Sequence, residues 1–182
     1  GELLDVSEGM RVVDVCAGAG GKTLHLAALM KNKGQIIALD IYEWKLAELK
    51  RRAKRAGAHN IETRMIDDNK VIKRLHEKAD RLLIDSPCSG LGVLKRNPDS
   101  KWKIDQDFID RIRKEQEKIL QDYAKILKKG GKMVYATCSI LPSENNEQVA
   151  TFLKNNEGYT LLKEEKVMPS SGFDGFYMAL IE

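Results

Sequence analysis

Two of the three cysteines in this 182-residue chain lie at or directly after the ends of predicted strands and stand among small polar residues. Cys88 lies in the segment DSPCSGLG, and Cys138 lies in the segment ATCS. A lone cysteine in a strand is usually a small buried apolar residue, and that is our interpretation of Cys16. Cys88 and Cys138, in contrast, are expected on adjacent strand ends of one sheet, where both thiols can face one site. That shared location favours covalent chemistry, in which a thiolate attacks an electrophile.

The chemistry that uses two such thiols is substitution at carbon 5 of a pyrimidine ring. Carbon 5 is a poor nucleophile, but addition of a thiolate to carbon 6 turns the ring into an enamine. The reaction also needs a carboxyl group near ring N3, a methyl donor, and a base that removes the carbon 5 proton. Methyl transfer to an exocyclic amine is disfavoured, because enzymes of that kind often have Asp/Asn-Pro-Pro-aromatic where Cys88 stands.

A nucleotide or nucleoside ligand is predicted at the glycine-rich turn CAGAGGKT, residues 16–23. A phosphate-binding loop requires a glycine where Cys16 stands, although the GKT that follows matches its end. A dinucleotide fingerprint fits Gly18 and Gly20 but has Thr23 in place of its third glycine. S-adenosylmethionine has no phosphates and needs only close approach to the backbone, which glycines allow.

Three carboxylates are expected at the ends of successive strands. Asp40 lies twenty residues after Gly20, where an acid binds the ribose of either NAD or S-adenosylmethionine, so Asp40 alone does not distinguish them. Asp67 is placed to accept a hydrogen bond from an adenine amino group, and Asp85 ends the next strand. The alternative is that these acids only cap strand ends. Three such acids on successive strands favour a ligand at this edge.

The elements that must position these groups alternate between apolar, β-branched runs and amphipathic stretches. Strands are predicted at residues 11–17, 35–41, 61–67, 80–87, 132–139, 159–167 and 175–182. Helices are predicted at residues 22–30, 43–57, 69–78, 106–128 and 142–156. This alternation predicts an α/β fold, a doubly wound Rossmann-like sheet of seven strands, mostly parallel with an antiparallel C-terminal strand. We expect residues 1–182 to form a single domain.

Composition limits the classes of function. The net charge of +4 and the pI of about 8.9 are compatible with nucleic acid as a partner, but taken alone they favour ordinary surface solvation. An odd set of cysteines without a Cys-x-x-Cys pair indicates neither a disulfide framework nor a metal site, and it fits a reducing cytoplasm. The sequence predicts no secretion signal at the start of the chain and no membrane-spanning stretch.

The chain resembles the Sun/Fmu family of RNA cytosine-C5 methyltransferases, also called RsmB/Nop-like, over nearly its whole length. The resemblance rests on the segments DVCAGAGGKT, ALDI, LLIDSPCSGLGVLKRNPDSKW, YATCSILPSENNEQV and DGFYMALIE. It implies one S-adenosylmethionine-dependent methyltransferase domain that adds a methyl group to carbon 5 of cytosine in RNA. The bacterial ribosomal-RNA branch looks most similar, which implies small-subunit ribosomal RNA as the first expected substrate and transfer RNA as the second.

The resemblance also implies roles for individual residues. Cys138 corresponds to the nucleophile that attacks carbon 6, and Cys88 to the thiol that helps release the product. Asp85 would contact the cytosine ring and lie near the cofactor, while Lys95 and Arg96 would meet substrate phosphates. The positions that match the family's S-adenosylmethionine site are Cys16, Ala17, Gly18, Ala19, Gly20, Gly21, Lys22, Asp40, Asp67 and Asp85, with Lys45 as a further candidate.

Two features depart from the family. Its turn reads Cys-Ala-Ala-Pro-Gly-Gly-Lys, whereas Gly18 and Ala19 replace Ala-Pro here, so the turn is expected to be less rigid. Family members usually carry an RNA-binding region upstream of the first strand, which begins near the start of this chain. An additional domain or another chain is therefore expected to dock the RNA. Trp102, in the basic loop LKRNPDSKWK, is expected to anchor packing rather than to stack on a base.

Other functions remain open from the residues alone. A P-loop NTPase would bind Mg·ATP and not S-adenosylmethionine. A non-catalytic cofactor-binding module would bind S-adenosylmethionine without transferring its methyl group. A DNA cytosine methyltransferase would use Cys88 as the nucleophile and would not need Cys138.

Overall fold

A computed structural model describes residues 1–67 and 70–182 of the chain. The helices among these residues are α1 (Gly21–Leu29), α2 (Glu43–Arg55), α3 (Lys70–Leu75), α4 (Gln106–Tyr123) and α5 (Asn146–Asn155). The strands are β1 (Arg11–Val15), β2 (Gln35–Asp40), β3 (Ile61–Met65), β4 (Ala79–Asp85), β5 (Leu127–Thr137), β6 (Leu161–Val167) and β7 (Phe176–Ile181).

The strands form one sheet in the order β3-β2-β1-β4-β5-β7-β6. β1 pairs in parallel with β2 and β4, β2 pairs in parallel with β3, and β6 pairs antiparallel with β7. β1 and β2 are buried almost throughout, and β4 is largely buried, so their apolar runs need not alternate with polar residues. The structure confirms the predicted α/β sheet, with mostly parallel strands and an antiparallel C-terminal pair.

The chain divides into two compact units. The first unit contains Gly1–Asp85 and Tyr123–Met133, and the second contains Ser86–Asp122 and Val134–Glu182. The glycine-rich turn belongs to the first unit, and both Cys88 and Cys138 belong to the second. Among the described residues, no helix combines the length and the apolar character needed to span a membrane.

Helix α2 positions the glycine-rich turn in the first unit. Its apolar residues recur with helical spacing, and Leu49 and Ala53 are buried against Ala17 and Ala38. Because Ala17 lies in the turn and Ala38 in β2, this packing joins the turn to the strand that ends at Asp40. The helix carries Glu43 in its first turn and three basic residues in its last turn, which suits the helix dipole.

Around β3, the observed boundaries differ from the predicted ones. The strand ends at Met65, so Asp67 lies two residues beyond its end and is exposed to solvent. β3 lies at the edge of the sheet and pairs only with β2, and its last residue, Met65, lies opposite Asp40, where β2 itself ends. The predicted start of the next helix, residue 69, lies outside the described residues, and α3 is described from Lys70 to Leu75.

Two helix predictions also extended too far. The helix predicted at residues 106–128 ends at Tyr123, because the apolar residues that follow enter a 3-10 turn and then β5 at Leu127. The helix predicted at residues 142–156 begins as a 3-10 turn, and α5 starts only at Asn146. Asn145, between them, has a non-helical backbone conformation and a buried side chain. The interruption places Glu144 in the protein interior instead of in the first turn of a surface helix.

Candidate active site

Three backbone amides of the glycine-rich turn are occupied by hydrogen bonds within the first unit. Ala17 N–H donates to Leu39 O at 2.9 Å, and Gly20 N–H donates to Ala17 O at 3.0 Å. Gly18 N–H donates to Asp40 Oδ2 at 2.8 Å. A phosphate-binding loop works by pointing such N–H groups at the phosphate oxygens. These three amides are already paired within the first unit, so the turn does not present them to a phosphate.

Lys22 and Thr23 also differ from their counterparts in a phosphate loop. There the lysine contacts phosphates and the hydroxyl contacts Mg²⁺. Here Lys22 Nζ forms an ion pair with Asp85 Oδ2 at 2.6 Å. The Thr23 hydroxyl is fully buried and donates to Asp14 Oδ2 at 2.6 Å. The segment Gly21-Lys22-Thr23 therefore resembles a phosphate loop in sequence but not in its contacts. These contacts argue against a P-loop NTPase.

Asp14, in the middle of β1, is a charged residue that sequence reasoning did not select. It is fully buried, and burial raises the pKa of its carboxyl to about 7, although the hydrogen bond from Thr23 opposes this shift. The nearby carboxylate of Asp85 raises the pKa further, and the charge of Lys22 lowers it. Its second oxygen, Oδ1, is buried without a hydrogen-bond partner among the described residues. The signal in the sequence was an acid inside the otherwise apolar run RVVDV.

Asp40 ends β2 as predicted, and its side chain shapes the turn. Asp40 is nearly fully buried, with Oδ2 accepting from Gly18 N–H and Oδ1 accepting from Tyr42 N–H at 2.9 Å. These two hydrogen bonds cap the end of β2, which was the alternative explanation for an acid at this position. The two roles are compatible, because each carboxylate oxygen has a second lone pair. A contact with ribose therefore stays a prediction for Asp40.

The other cofactor candidates of the first unit are exposed or engaged elsewhere. Asp67 is exposed, so its contact with an adenine stays a prediction. Lys45 Nζ lies 4.4 Å from the centre of the Tyr42 ring and 5.7 Å from that of Trp44, a cation–π arrangement. Ile41, Tyr42 and Trp44 are all exposed, so an apolar surface that includes both rings lies just after Asp40 in the chain. A surface of this kind can accept a flat apolar group.

The turn is tight on one side and open on the other. A Cβ atom added at Gly20 would lie 2.5 Å from Leu49 Cγ, whereas one added at Gly18 or Gly21 would meet no described atom within 4 Å. Gly18 and Gly20 both have positive φ angles, of 56° and 84°. The turn thus packs its backbone against α2 and leaves room on its other side for a ligand that approaches the main chain closely.

This asymmetry gives a matched pair of substitutions. Gly20→Ala should reduce the free energy of unfolding by about 2 kcal/mol or more, because the methyl group overlaps Leu49 and the residue keeps a positive φ. Gly21→Ala, in the first turn of α1, should be neutral or should raise it by a few tenths to ~1 kcal/mol through helix propensity. Urea unfolding of both variants without ligand measures the difference, and equal stabilities would contradict the packing described here.

The two predicted thiols lie together in the second unit. Cys88 Sγ and Cys138 Sγ are 3.3 Å apart, within hydrogen-bond distance for sulfur, and both side chains are partly buried. The hydrogen bond to Cys138 and burial both raise the pKa of the Cys88 thiol above its ordinary value. The two sulfur atoms can therefore share a proton, with either thiol as the donor. An arrangement with one proton-holding thiol and one acceptor thiol suits a nucleophile paired with an acid–base group.

A buried polar network surrounds the thiols, and sequence reasoning missed its centre. Ser89 and Ser139, each directly after a cysteine, are buried and hydrogen-bonded to the carboxylate of Glu144. From the sequence alone, Glu144 is an acid suited to the first turn of the helix predicted at residues 142–156. The signal that could have identified it is the repeated Cys-Ser pair, because two buried hydroxyls require an acceptor.

The basic loop differs in part from expectation. Lys95 is exposed, but Arg96 forms an ion pair with Asp174 at 2.7 Å. Trp102 was expected to anchor packing, and this is wrong: its side chain is 81% exposed, with Lys101 Nζ 4.9 Å from the ring centre. The physical reason is that residues 98–102 form a 3-10 turn of largely exposed residues. Contacts of Lys95 and Arg96 with substrate phosphates stay predictions.

Comparisons with known proteins agree on one family. The profile described as "16S rRNA methyltransferase RsmB/F" matches residues 2–181. A probable ribosomal RNA small subunit methyltransferase B of Bacillus subtilis is 38% identical over 168 residues, which cover 91% of this chain and 38% of the relative. The mouse tRNA (cytosine(72)-C(5))-methyltransferase NSUN6 is 35% identical over 190 residues, which cover 98% of this chain and 39% of that protein.

A solved structure shows the same similarity in three dimensions. The crystal structure of NSun6 from Pyrococcus horikoshii with SFG superimposes with a TM-score of 0.89 at 28% sequence identity. The match covers 100% of this chain and 50% of that one. The chain thus spans about two fifths of the length of the curated relatives named above and half of this solved one.

Proposed function

Because the chain belongs to the 16S rRNA methyltransferase RsmB/F family, we propose that it transfers a methyl group from S-adenosylmethionine to carbon 5 of a cytosine in RNA. The observation that carries the proposal is the pair of sulfur atoms, Cys88 Sγ and Cys138 Sγ, 3.3 Å apart. Small-subunit ribosomal RNA is the first candidate substrate, because the bacterial relative is named as a methyltransferase of that RNA. Transfer RNA is the second candidate, after the mouse relative.

The first unit fits S-adenosylmethionine better than it fits a phosphate-bearing ligand. When bound, S-adenosylmethionine supplies an electrophilic methyl group on a positively charged sulfur. Three of the turn amides are paired internally, and the carboxylate of Asp40, which accepts from one of them, would repel a phosphate but suits a cation. The open sides of Gly18 and Gly21 leave room for close approach to the backbone. The archaeal relative solved with SFG, an S-adenosylmethionine analogue, supports the same assignment.

In the proposed reaction, the two thiols act in sequence. Cys138 Sγ, as a thiolate, adds to carbon 6 of cytosine, and the displaced π electrons make carbon 5 nucleophilic towards the methyl group, whose bond to the donor sulfur breaks as it is transferred. A base must then remove the carbon 5 proton, after which the bond between carbon 6 and Cys138 breaks and the double bond returns. We assign the proton removal to Cys88 and contact with the cytosine ring to Asp85, three positions earlier in the chain.

The raised pKa of Cys88 explains how its role can change during the cycle. Its leading cause is the hydrogen bond to Cys138. Once Cys138 Sγ is bonded to carbon 6, it no longer carries the charge that Cys88 must stabilise, and this cause weakens. The pKa of Cys88 then falls, so Cys88 ionises more readily at the stage where a base is needed.

Methylation of defined RNA tests the proposal. The chain should be incubated with S-adenosylmethionine and transcripts of small-subunit ribosomal RNA or transfer RNA, and the nucleosides should be analysed by mass spectrometry. The expected product is 5-methylcytidine. Methylation at another atom, or none on any RNA even when the chain is extended to the length of its relatives, would contradict the proposal. Calorimetry on the chain alone should show binding of S-adenosylmethionine and not of Mg·ATP.

The basic loop should contribute to RNA affinity through charge. Lys95 is exposed, and its side chain makes no hydrogen bond or ion pair with another residue that the structure describes. If Lys95 meets a phosphate, Lys95→Ala should lower the slope of log affinity against log salt by about one unit without changing the preferred sequence. Filter binding at several salt concentrations measures the slope. Lys154→Ala, a basic residue in the last turn of α5, is the control, and equal slopes for both variants would exclude the contact.

A further inference from the structure

The geometry points to Glu144 as the positioning residue that holds the two thiols at their working separation. Its carboxylate is fully buried and lies between the segments that carry Cys88 and Cys138. The catalytic consequence rests on the proposed function, whereas the effect on the geometry of the thiol pair does not.

Four donors fill the carboxylate of Glu144. Oε1 accepts from Ser89 N–H at 2.8 Å and from Gln116 Nε2 at 3.1 Å. Oε2 accepts from the Ser89 hydroxyl at 2.5 Å and from the Ser139 hydroxyl. An ionised carboxylate is an acceptor with about four lone-pair positions, so these donors use its full capacity.

These contacts act directly on the positions next to the sulfur atoms. Ser89 follows Cys88 and Ser139 follows Cys138, so a single side chain fixes the residue after each thiol. Gln116 adds a second link, because its Nε2 also donates to Pro87 O, before Cys88, at 2.9 Å. The segment that carries Cys88 is therefore restrained on both sides of the cysteine.

Glu144 is itself held in place. Tyr135 donates its hydroxyl hydrogen to Glu144 O at 2.8 Å. The neighbouring Asn145 donates from Nδ2 to Ser139 O at 2.9 Å and accepts from Thr137 Oγ1 at 2.5 Å. These bonds attach Glu144 and Asn145 to the end of β5, where Cys138 follows. The donors and acceptors are buried, so breaking one leaves a polar group without water to replace its partner.

The thiol–disulfide equilibrium of the pair gives a test that needs neither RNA nor cofactor. Two cysteine thiols and one glutathione disulfide exchange to one protein disulfide and two glutathione molecules, so no further oxidant enters. The equilibrium constant measures how effectively the fold presents the two sulfur atoms to each other. Peptide mapping by mass spectrometry distinguishes the disulfide between Cys88 and Cys138 from any that involves Cys16.

Glu144→Gln is the critical variant. It preserves the size of the side chain but directs an NH₂ group at two of the four donors, so the cysteine segments should separate. The equilibrium constant should fall at least about tenfold relative to the unmodified chain. Glu147→Gln removes an exposed acid three residues later, in the first turn of α5, and should leave the constant unchanged. A constant for Glu144→Gln equal to that of the unmodified chain would overturn the inference.

Two further measurements keep the inference testable. If Glu144→Gln does not fold, Ser139→Ala can take its place, because it removes one donor and leaves the carboxylate. This variant should lower the equilibrium constant by a smaller factor. An unchanged constant for Ser139→Ala would overturn the inference. With RNA, Glu144→Gln should reduce the single-turnover rate of methyl transfer while leaving S-adenosylmethionine affinity unchanged; a normal rate would overturn it. If the constant falls but the unmodified chain methylates no RNA, Glu144 still positions the thiols and only the proposed function fails.

Discussion

Replacing Cys138 with alanine should abolish methyl transfer to RNA, with a loss of at least about a thousandfold in single-turnover rate. The reason is that carbon 5 becomes nucleophilic only after sulfur adds to carbon 6, and we assign that addition to Cys138. The hydrogen bond to Cys138 and burial raise the pKa of the Cys88 thiol, which suits Cys88 to the later acid–base step. Transfer of a labelled methyl group from S-adenosylmethionine to RNA measures the loss.

The same variant should keep its fold and its ligands. Cys138 is only partly buried, and removing its sulfur atom leaves the hydrogen bonds between Ser139 and Glu144 in place. The affinity for RNA and for S-adenosylmethionine, and the urea midpoint of unfolding, should therefore stay close to those of the unmodified chain. If Cys138→Ala retained activity while Cys88→Ala lost it, the nucleophile would be Cys88, as in the DNA cytosine methyltransferase alternative.

Asp14→Asn should change the pH dependence of stability strongly. Burial raises the pKa of Asp14 to about 7 from an ordinary value of 3.8. At a pH between these two values, the folded chain holds a proton that the unfolded chain has released. The stability that this proton contributes is fully present below about pH 4 and is lost as the pH rises through 7. Above that pH, the ionised and buried carboxylate should cost on the order of 2–4 kcal/mol.

The asparagine variant has no such charge. It should be more stable than the unmodified chain at pH 8, by about 2 kcal/mol or more, and within about 1 kcal/mol of it at pH 4. Its side-chain oxygen can still accept the hydrogen bond from Thr23, and its NH₂ group can occupy the place of Oδ1, which has no partner among the described residues. Urea unfolding at pH 4, 6 and 8 measures the profile, and identical profiles for both proteins would contradict the assignment.

Asp80 provides a control of opposite sign on the neighbouring strand. Burial alone would raise the pKa of Asp80, but hydrogen bonds from Lys128 and from the Arg11 N–H outweigh it and lower the pKa. Stability from Asp80 is present above the unfolded pKa and is lost as the pH falls through the folded one. Asp80→Asn should therefore destabilise the chain at pH 8, where Asp14→Asn stabilises it.

Local patterns in the sequence predict most of the fold and part of the site. Apolar runs and helical spacing predicted the strands and the sheet class, because burial of a parallel sheet requires such runs. Acids at strand ends predicted Asp40 and Asp85 where β2 and β4 end. The expectation that Cys88 and Cys138 share one location is confirmed by their sulfur–sulfur distance of 3.3 Å.

The residues that escaped prediction owe their roles to distant partners. Glu144 follows Pro142 and Ser143, a local pattern typical of a helix start, yet its carboxylate is bonded to Ser89 and Gln116, far away in the chain. The spacing of apolar residues along the chain does not indicate such long-range hydrogen bonds. Trp102 shows the reverse case, since an aromatic residue usually packs inside, but here a 3-10 turn carries it to the surface.

During methyl transfer, Cys138 of this chain should form a covalent adduct with an RNA cytosine. The most direct measurement uses Cys88→Ala with S-adenosylmethionine and small-subunit ribosomal RNA, followed by a denaturing gel and mass spectrometry of the slow-migrating band. Without Cys88, the adduct should form but should not resolve, so the expected result is an RNA–protein complex joined at Cys138. A complex joined elsewhere, or its appearance with Cys138→Ala and not with Cys88→Ala, would show that Cys138 is not the nucleophile.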